Sequence, residues 1–175
     1  MIDKDGYRAN VGIVLINDAN QVLLAKRKGE NSWQLPQGGI DSGESDTEAM
    51  YRELNEEIGL LQNDVLAIAK TPKWLRYDLP KNRKCLSSKF IGQKQVWFLL
   101  KINCQESNIK LDKHSEIEFD DWIWVDYWNP IEKVIDFKQN IYEDMLKSLA
   151  SVVFSNDYTI PKNLNRPFSR SAIIL

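Results

Sequence analysis

Residues 52–59 read Arg-Glu-Leu-Asn-Glu-Glu-Ile-Gly and place Glu53, Glu56 and Glu57 within two helical turns. Helical residues three and four apart share a face, so these carboxylates are expected to converge. Close carboxylates raise one another's pKa unless a cation neutralises them. An all-oxygen donor set is hard and suits Mg²⁺ or Mn²⁺ rather than zinc. No His/Cys set competes with it. His114 is the single histidine, sits in a polar stretch, and reads as a surface residue.

The glutamates need a helix, and the helix needs a support. Asp46 and Thr47 are both suitable N-caps, Met50, Leu54, Ile58 and Leu61 form an apolar face, and Gly59 is a plausible stop. Before it, VGIVLI (11–16) and QVLLAKR (21–27) read as strands joined by the turn residues 17–20, a hairpin. After it, DVLAIAK (64–70), WLRYDL (74–79), QVWFLLKI (95–102) and DWIWVDYW (121–128) read as further strands. Pro130 opens a short helix. A last helix over 138–153 carries the stripe Ile141, Met145, Leu149 and Val152. The order predicts an α/β protein, a mixed sheet sandwiched between helices. Residues 1–153 form one expected domain, and 154–175, with two prolines, a loosely ordered C-terminal tail.

The chain has 175 residues, enough for one full core, and no apolar run long enough to span a membrane. The first residues are polar, unlike a signal peptide, and Cys85 and Cys104 read as two reduced thiols, which together favour a cytoplasmic protein. Net charge is −2, yet residues 70–101 hold nine Lys or Arg against Asp78. That polarity suits an anionic substrate held near carboxylate-bound metal, or else a solvated basic loop.

From Gly38 the spacing is fixed: five residues to Glu44, seven more to Arg52-Glu53, then Leu54, Glu56-Glu57, Gly59 and Leu60. Chance would produce these identities in roughly one chain in a million, which sets aside a merely Glu-rich surface. The pattern over 38–60 resembles the Nudix box. That resemblance implies a Nudix fold, an α/β/α sandwich, and an enzyme hydrolysing a nucleoside diphosphate linked to another group. It implies Glu53 and Glu57 as main metal ligands, Glu56 as a third ligand or base, the Gly38 carbonyl as a further ligand, and Arg52 and Glu44 as a bracing charge pair. Two or more Mg²⁺ or Mn²⁺ ions are expected.

The flanks GYRANVGIVL, SWQLPQGG, WLRYDLP, IGQKQVWFLL, EFDDWIWVDYWNP and FKQNIY are similar to those of bacterial RNA pyrophosphohydrolases. Those enzymes convert a 5′-triphosphorylated or diphosphorylated RNA end to a monophosphate, which opens the RNA to decay. The resemblance implies Glu118 as an off-helix ligand or base, Arg8, Tyr77 and Lys94 as phosphate contacts, and Phe137, with Arg27 and Lys138, as contacts to a base or the backbone of single-stranded RNA. The dinucleoside polyphosphate hydrolases share several of these stretches, so diadenosine tetraphosphate is the alternative substrate class. A protein activator is left open. The chain departs from the pattern at Ala9, Val96 and Asp121 and in a short loop over 81–90, none of which touches the box.

Overall fold

The computed structural model describes residues 2–80, 90–155, 158–162, 164 and 173–175. Its strands are β1 (Tyr7–Ile16), β2 (Val22–Arg27), β3 (Trp33–Gln34), β4 (Gln37–Gly39), β5 (Val65–Lys70), β6 (Leu75–Asp78), β7 (Gly92–Ile102), β8 (Phe119–Val125) and β9 (Ile173–Ile174). The helices are α1 (Asp46–Ile58), α2 (Pro130–Lys133) and α3 (Asp136–Val153).

Among the described residues all the strands join one sheet with the path β3-β2-β1-β7-β5-β9; β4 pairs β1, β6 pairs β7 and β8 pairs β2. The centre is a parallel ladder running from Tyr7 opposite Gly92 to Ile16 opposite Lys101, while the flanking pairs are antiparallel. The sheet is therefore mixed, as the element order predicts. Successive side chains on a strand point to opposite faces, and both central strands are apolar on both. Val11, Ile13 and Leu15 of β1 with Phe98 and Leu100 of β7 pack against Met50, Leu54 and Ile58 of α1. Val14 and Ile16 with Trp97 and Leu99 pack against Tyr142, Met145 and Leu149 of α3. One helix covers each face, which is the expected sandwich.

Two details of α1 differ from the sequence reading. Its N-cap is Ser45, not Asp46 or Thr47: the Ser45 side chain accepts from the Glu48 N–H while the Glu48 carboxylate accepts from the Ser45 N–H. Only Ser45 has a glutamate three residues on, so the reciprocal capping box selects it. At the other end Gly59 adopts the left-handed conformation (φ 76°), and a Cβ there would lie 2.6 Å from the Lys110 carbonyl. The helical period stops at this residue. Leu60 is then buried and Leu61 is 55% exposed, so Leu61 is not part of the core face.

The tail contributes Tyr158 and Leu164 to the α3-side core, and Ile173 and Ile174 pair antiparallel with β5. Cys104 is a free thiol. Cys85 and the cations Lys81, Arg83, Lys84 and Lys89 lie outside the described residues. Four described cations of that segment meet aspartates: Lys70 with Asp46, Arg76 with Asp5, Lys94 with Asp3 and Lys101 with Asp18. Their charge is answered locally instead of forming one field. Among the described residues no helix is long and apolar enough to cross a membrane.

Candidate metal and polyphosphate site

A cleft of about 650 Å³ opens beside α1, walled by Glu53, Glu56, Glu57, Arg27 and the segment from His114 to Glu118. The three helix glutamates differ in setting: Glu53 and Glu57, four residues apart, are buried, and Glu56 is exposed at the rim. They therefore converge as a buried pair plus a rim group.

Arg52 organises the loop and the helix. Its Nε and Nη2 donate to the two Glu44 oxygens at 2.8 and 2.9 Å, and Nη2 donates to the Gly39 carbonyl at 2.7 Å. Nη1 donates to Glu53 at 2.7 Å and Glu56 at 2.8 Å. The planar fork lets one cation serve three carboxylates and a carbonyl. The hydrogen bond from Arg52 holds the Glu44 carboxyl below its usual range. β4 packs against the same helix: the Gln37 N–H donates to Glu57 at 2.8 Å, and Gly38 leaves its side-chain space to the Glu53 carboxyl group.

Burial pushes the Glu53 carboxyl above the usual carboxylate range, opposed by Arg52 and reinforced by the charges of Glu56 and Glu118. Glu57 is held well above it, first by burial and then by the charges of Glu118 and Glu53. The charges that act most strongly on Glu57 are those of carboxylates. The Glu57 Oε1 atom is buried with no hydrogen-bond partner, and a buried unpaired oxygen of this kind calls for an unplaced ion or water. The donors present thus fit a hard divalent ion in their chemistry. Among the described residues no three already stand at ligand spacing; the carboxylates line the cleft, several of their oxygens engaged by arginine.

Glu118 comes from outside the helix, just before β8. The β2–β8 ladder shifts register between Lys26 and Arg27, opposite Asp121 and Phe119, and such a bulge re-aims side chains beside a site. There Arg27 Nη1 donates to Glu118 Oε1 at 2.9 Å.

A second cleft of about 300 Å³ shares Arg27 with the first and is lined by Trp33, Gln34, Tyr77, Phe137 and Lys138. The Phe137 and Tyr77 rings lie 5.8 Å apart, and Lys138 Nζ sits 5.8 Å over the Tyr77 ring. Burial raises the Tyr77 phenol well above its usual range, and its hydroxyl hydrogen-bonds Gln93. Arg8 lies against Gly39, at the loop that Arg52 holds, with its guanidinium 6.0 Å from the Phe90 ring centroid.

The structure thus gathers Arg27, Tyr77, Phe137 and Lys138 at one cleft and Glu53, Glu56, Glu57 and Glu118 at the other. Lys94 joins neither: it is bound to Asp3 at 3.0 Å and lies over Trp74. Its neighbours Gln93 and Gln95 reach Tyr77 and Gln37 respectively, and strand alternation sends Lys94 the other way. His114, which the sequence reads as a surface residue, is half-buried, lines the carboxylate cleft and bonds Asn55 of α1 at 2.9 Å. Lys113 likewise donates to the Gly59 carbonyl at 2.9 Å, so this segment is strapped to the end of α1. No local sequence pattern marks that contact.

Three comparisons relate the chain to known proteins. The NUDIX domain matches residues 6–146. The RNA pyrophosphohydrolase of Ruthia magnifica subsp. Calyptogena magnifica is 63% identical over 177 residues, covering 100% of this chain and 99% of that one. Among solved structures, the E. coli dihydroneopterin triphosphate pyrophosphohydrolase superposes with TM-score 0.62 at 17% identity, covering 81% of this chain and 97% of that one. A C. elegans Ap4A hydrolase binary complex superposes with TM-score 0.58 at 19% identity, covering 77% and 92%. These two likenesses speak for the fold, while the domain match and the full-length relative reach the Gly38–Leu60 spacing and its flanks. The chain belongs to the NUDIX domain family.

Proposed function

We propose that this chain is an RNA 5′-pyrophosphohydrolase that converts a 5′-triphosphorylated or diphosphorylated end to a monophosphate, releasing pyrophosphate or phosphate, and so starts RNA decay. The observation that carries the reading is the junction of two clefts: a carboxylate cleft suited to metal and polyphosphate, and an aromatic-cationic cleft suited to an unpaired base, joined at Arg27. Stacking on an aromatic ring beside a cation is how proteins hold unpaired RNA bases, and Phe137 with Lys138 supplies both.

Mg²⁺ or Mn²⁺, two or more ions, would be held by Glu53, Glu56, Glu57, Glu118 and the Gly38 carbonyl. When bound, the metal supplies neutralisation of the phosphate oxygens and acidification of water. The remaining tasks fall to side chains. Arg52 fixes Glu53 and ties α1 to the loop over 39–44. Arg8 meets the terminal phosphates. Glu118 or Glu56, at the solvent edge of the cleft, takes a proton from the attacking water. A P–O anhydride bond breaks as the water oxygen bonds phosphorus, and the polyphosphate portion leaves. The site assembles in a cytoplasmic protein without a membrane partner, and a protein activator would act from outside it.

The test is release of label from γ-labelled 5′-triphosphate RNA with Mg²⁺; no labelled pyrophosphate or phosphate overturns the reading. Glu53→Gln should lower kcat by about 10³-fold or more with an unchanged melting curve, on the scale of losing a charge-stabilising group in an active site. A second reading, hydrolysis of diadenosine tetraphosphate, is favoured by the aromatic cleft, which would also accept adenine. The ratio of kcat/KM for that compound and for a short triphosphate RNA separates the two.

A further inference from the structure

Arg27 belongs to both clefts, yet its guanidinium is committed to Glu118, with Nη1 at 2.9 Å from Oε1 and Nε at 3.6 Å from Glu30. Gln34 Nε2 approaches the same Glu118 oxygen at 3.4 Å. The backbone sets the pair: the Lys28 N–H donates to the Glu118 carbonyl at 2.8 Å, and the Gly29 N–H donates to Asp120 at 3.0 Å, right at the register shift. An oxygen engaged by a guanidinium cannot also face a cation or accept from water along that direction. Glu118 thus lines the carboxylate cleft with one of its two oxygens, Oε1, already taken by Arg27.

The guanidinium fork matches phosphate as well as carboxylate. Both partners are partly exposed, at 40% and 38%, so the pair is weak enough to be exchanged. A polyphosphate in the carboxylate cleft and a base on Phe137 would bring the following phosphodiester past Arg27.

We propose that Arg27 is a positioning residue that couples substrate length to catalysis: it engages the Glu118 Oε1 atom until the phosphodiester after the first nucleotide draws the guanidinium away and frees that oxygen to act in the carboxylate cleft. The inference rests on the RNA-end reading above and adds to it the group that tells a chain from a single nucleotide. A mononucleotide carries no such phosphodiester and leaves the pair closed.

The experiment measures kcat and KM for ATP and for a 5′-triphosphorylated tetranucleotide with Mg²⁺, in the wild type, Arg27→Gln, Glu118→Gln and the double variant. Arg27→Gln should raise kcat on ATP about fivefold, the ceiling for a part-exposed pair, and lower kcat/KM on the tetranucleotide. The gain on ATP should vanish when Glu118→Gln is also present. An unchanged or lower kcat on ATP, or an equal gain without the Glu118 carboxylate, overturns the proposal. Mn²⁺ binding without nucleotide gives a reading independent of turnover: it should tighten in Arg27→Gln and show no such gain in the Glu118→Gln background. Equal Mn²⁺ affinity in wild type and Arg27→Gln also overturns it. A wild type that hydrolyses no triphosphate RNA would remove the functional reading instead, and the Mn²⁺ measurement would still decide the ion pair.

Discussion

Gly38→Ala tests whether the position of Glu53 is what matters. A Cβ at residue 38 would stand 1.9 Å from the Glu53 carboxyl carbon, so the carboxyl must retreat by more than about 1 Å to reach ordinary carbon contact. That retreat works against the 2.7 Å bond to Arg52. A misplacement of this size costs about 10²-fold in rate, near 2.7 kcal/mol of transition-state stabilisation. Stability should move little. Gly38 is not among the glycines with positive φ, so alanine fits the backbone and reduces unfolded-chain entropy by about 0.4–1 kcal/mol. A weakened Arg52 contact offsets that gain at about 1 kcal/mol. The assay is pyrophosphate release from 5′-triphosphate RNA beside a thermal melt followed by circular dichroism. Turnover within threefold of wild type, with the melt intact, would refute the role given to Glu53 and its seat.

Further outcomes follow from the same contacts. Arg52→Lys keeps a charge but loses the fork that serves Glu44, Gly39, Glu53 and Glu56; urea denaturation should show a loss of about 2–3 kcal/mol. Ser45→Ala removes the reciprocal cap of α1 and should cost about 1 kcal/mol with kcat unchanged. Tyr127 is fully buried, donates to the Leu146 carbonyl at 2.8 Å, and is held well above the usual phenol range by burial. The folded chain therefore keeps that proton while the unfolded chain releases it near pH 10. Stability is unaffected below about pH 10 and falls above it, by up to about 1.4 kcal/mol per pH unit for each such tyrosine. Tyr127→Phe should make that decline shallower in denaturation curves taken at pH 9 to 11; an unchanged slope contradicts the assignment.

What the sequence discloses here depends on how far apart the interacting residues are. Glu53, Glu56, Glu57 and Gly59 lie on one helix whose period and stop are local, so the carboxylate face is legible in a single line of residues. The capping box is equally local, since Glu48 stands three residues after Ser45, yet the sequence reading settles on Asp46 and Thr47 and passes over it. Leu61 misleads because periodicity runs on through a glycine at which the helix stops. Lys94 misleads for a two-fold reason, since one residue of phase on β7 decides between the cleft and the opposite face. The Arg27–Glu118 pair spans 91 residues and depends on a bulge between two strands, so no spacing discloses it. The strap from Lys113 and His114 to the end of α1 is hidden in the same way.

The central ladder carries a consequence for how the chain is made. β1 pairs in parallel with β7 over its whole length, Tyr7 through Ile16 with Gly92 through Lys101. Parallel partners cannot come from a tight hairpin, and the long loop that must close before this ladder forms slows folding. During synthesis β1 can pair with β2 and β4, but its other edge must wait until residues 92–102 have left the ribosome. The helix that carries the carboxylates packs on this pair, so the site becomes ordered late even though its residues are translated early. A folding defect in β7 would then register first as lost activity.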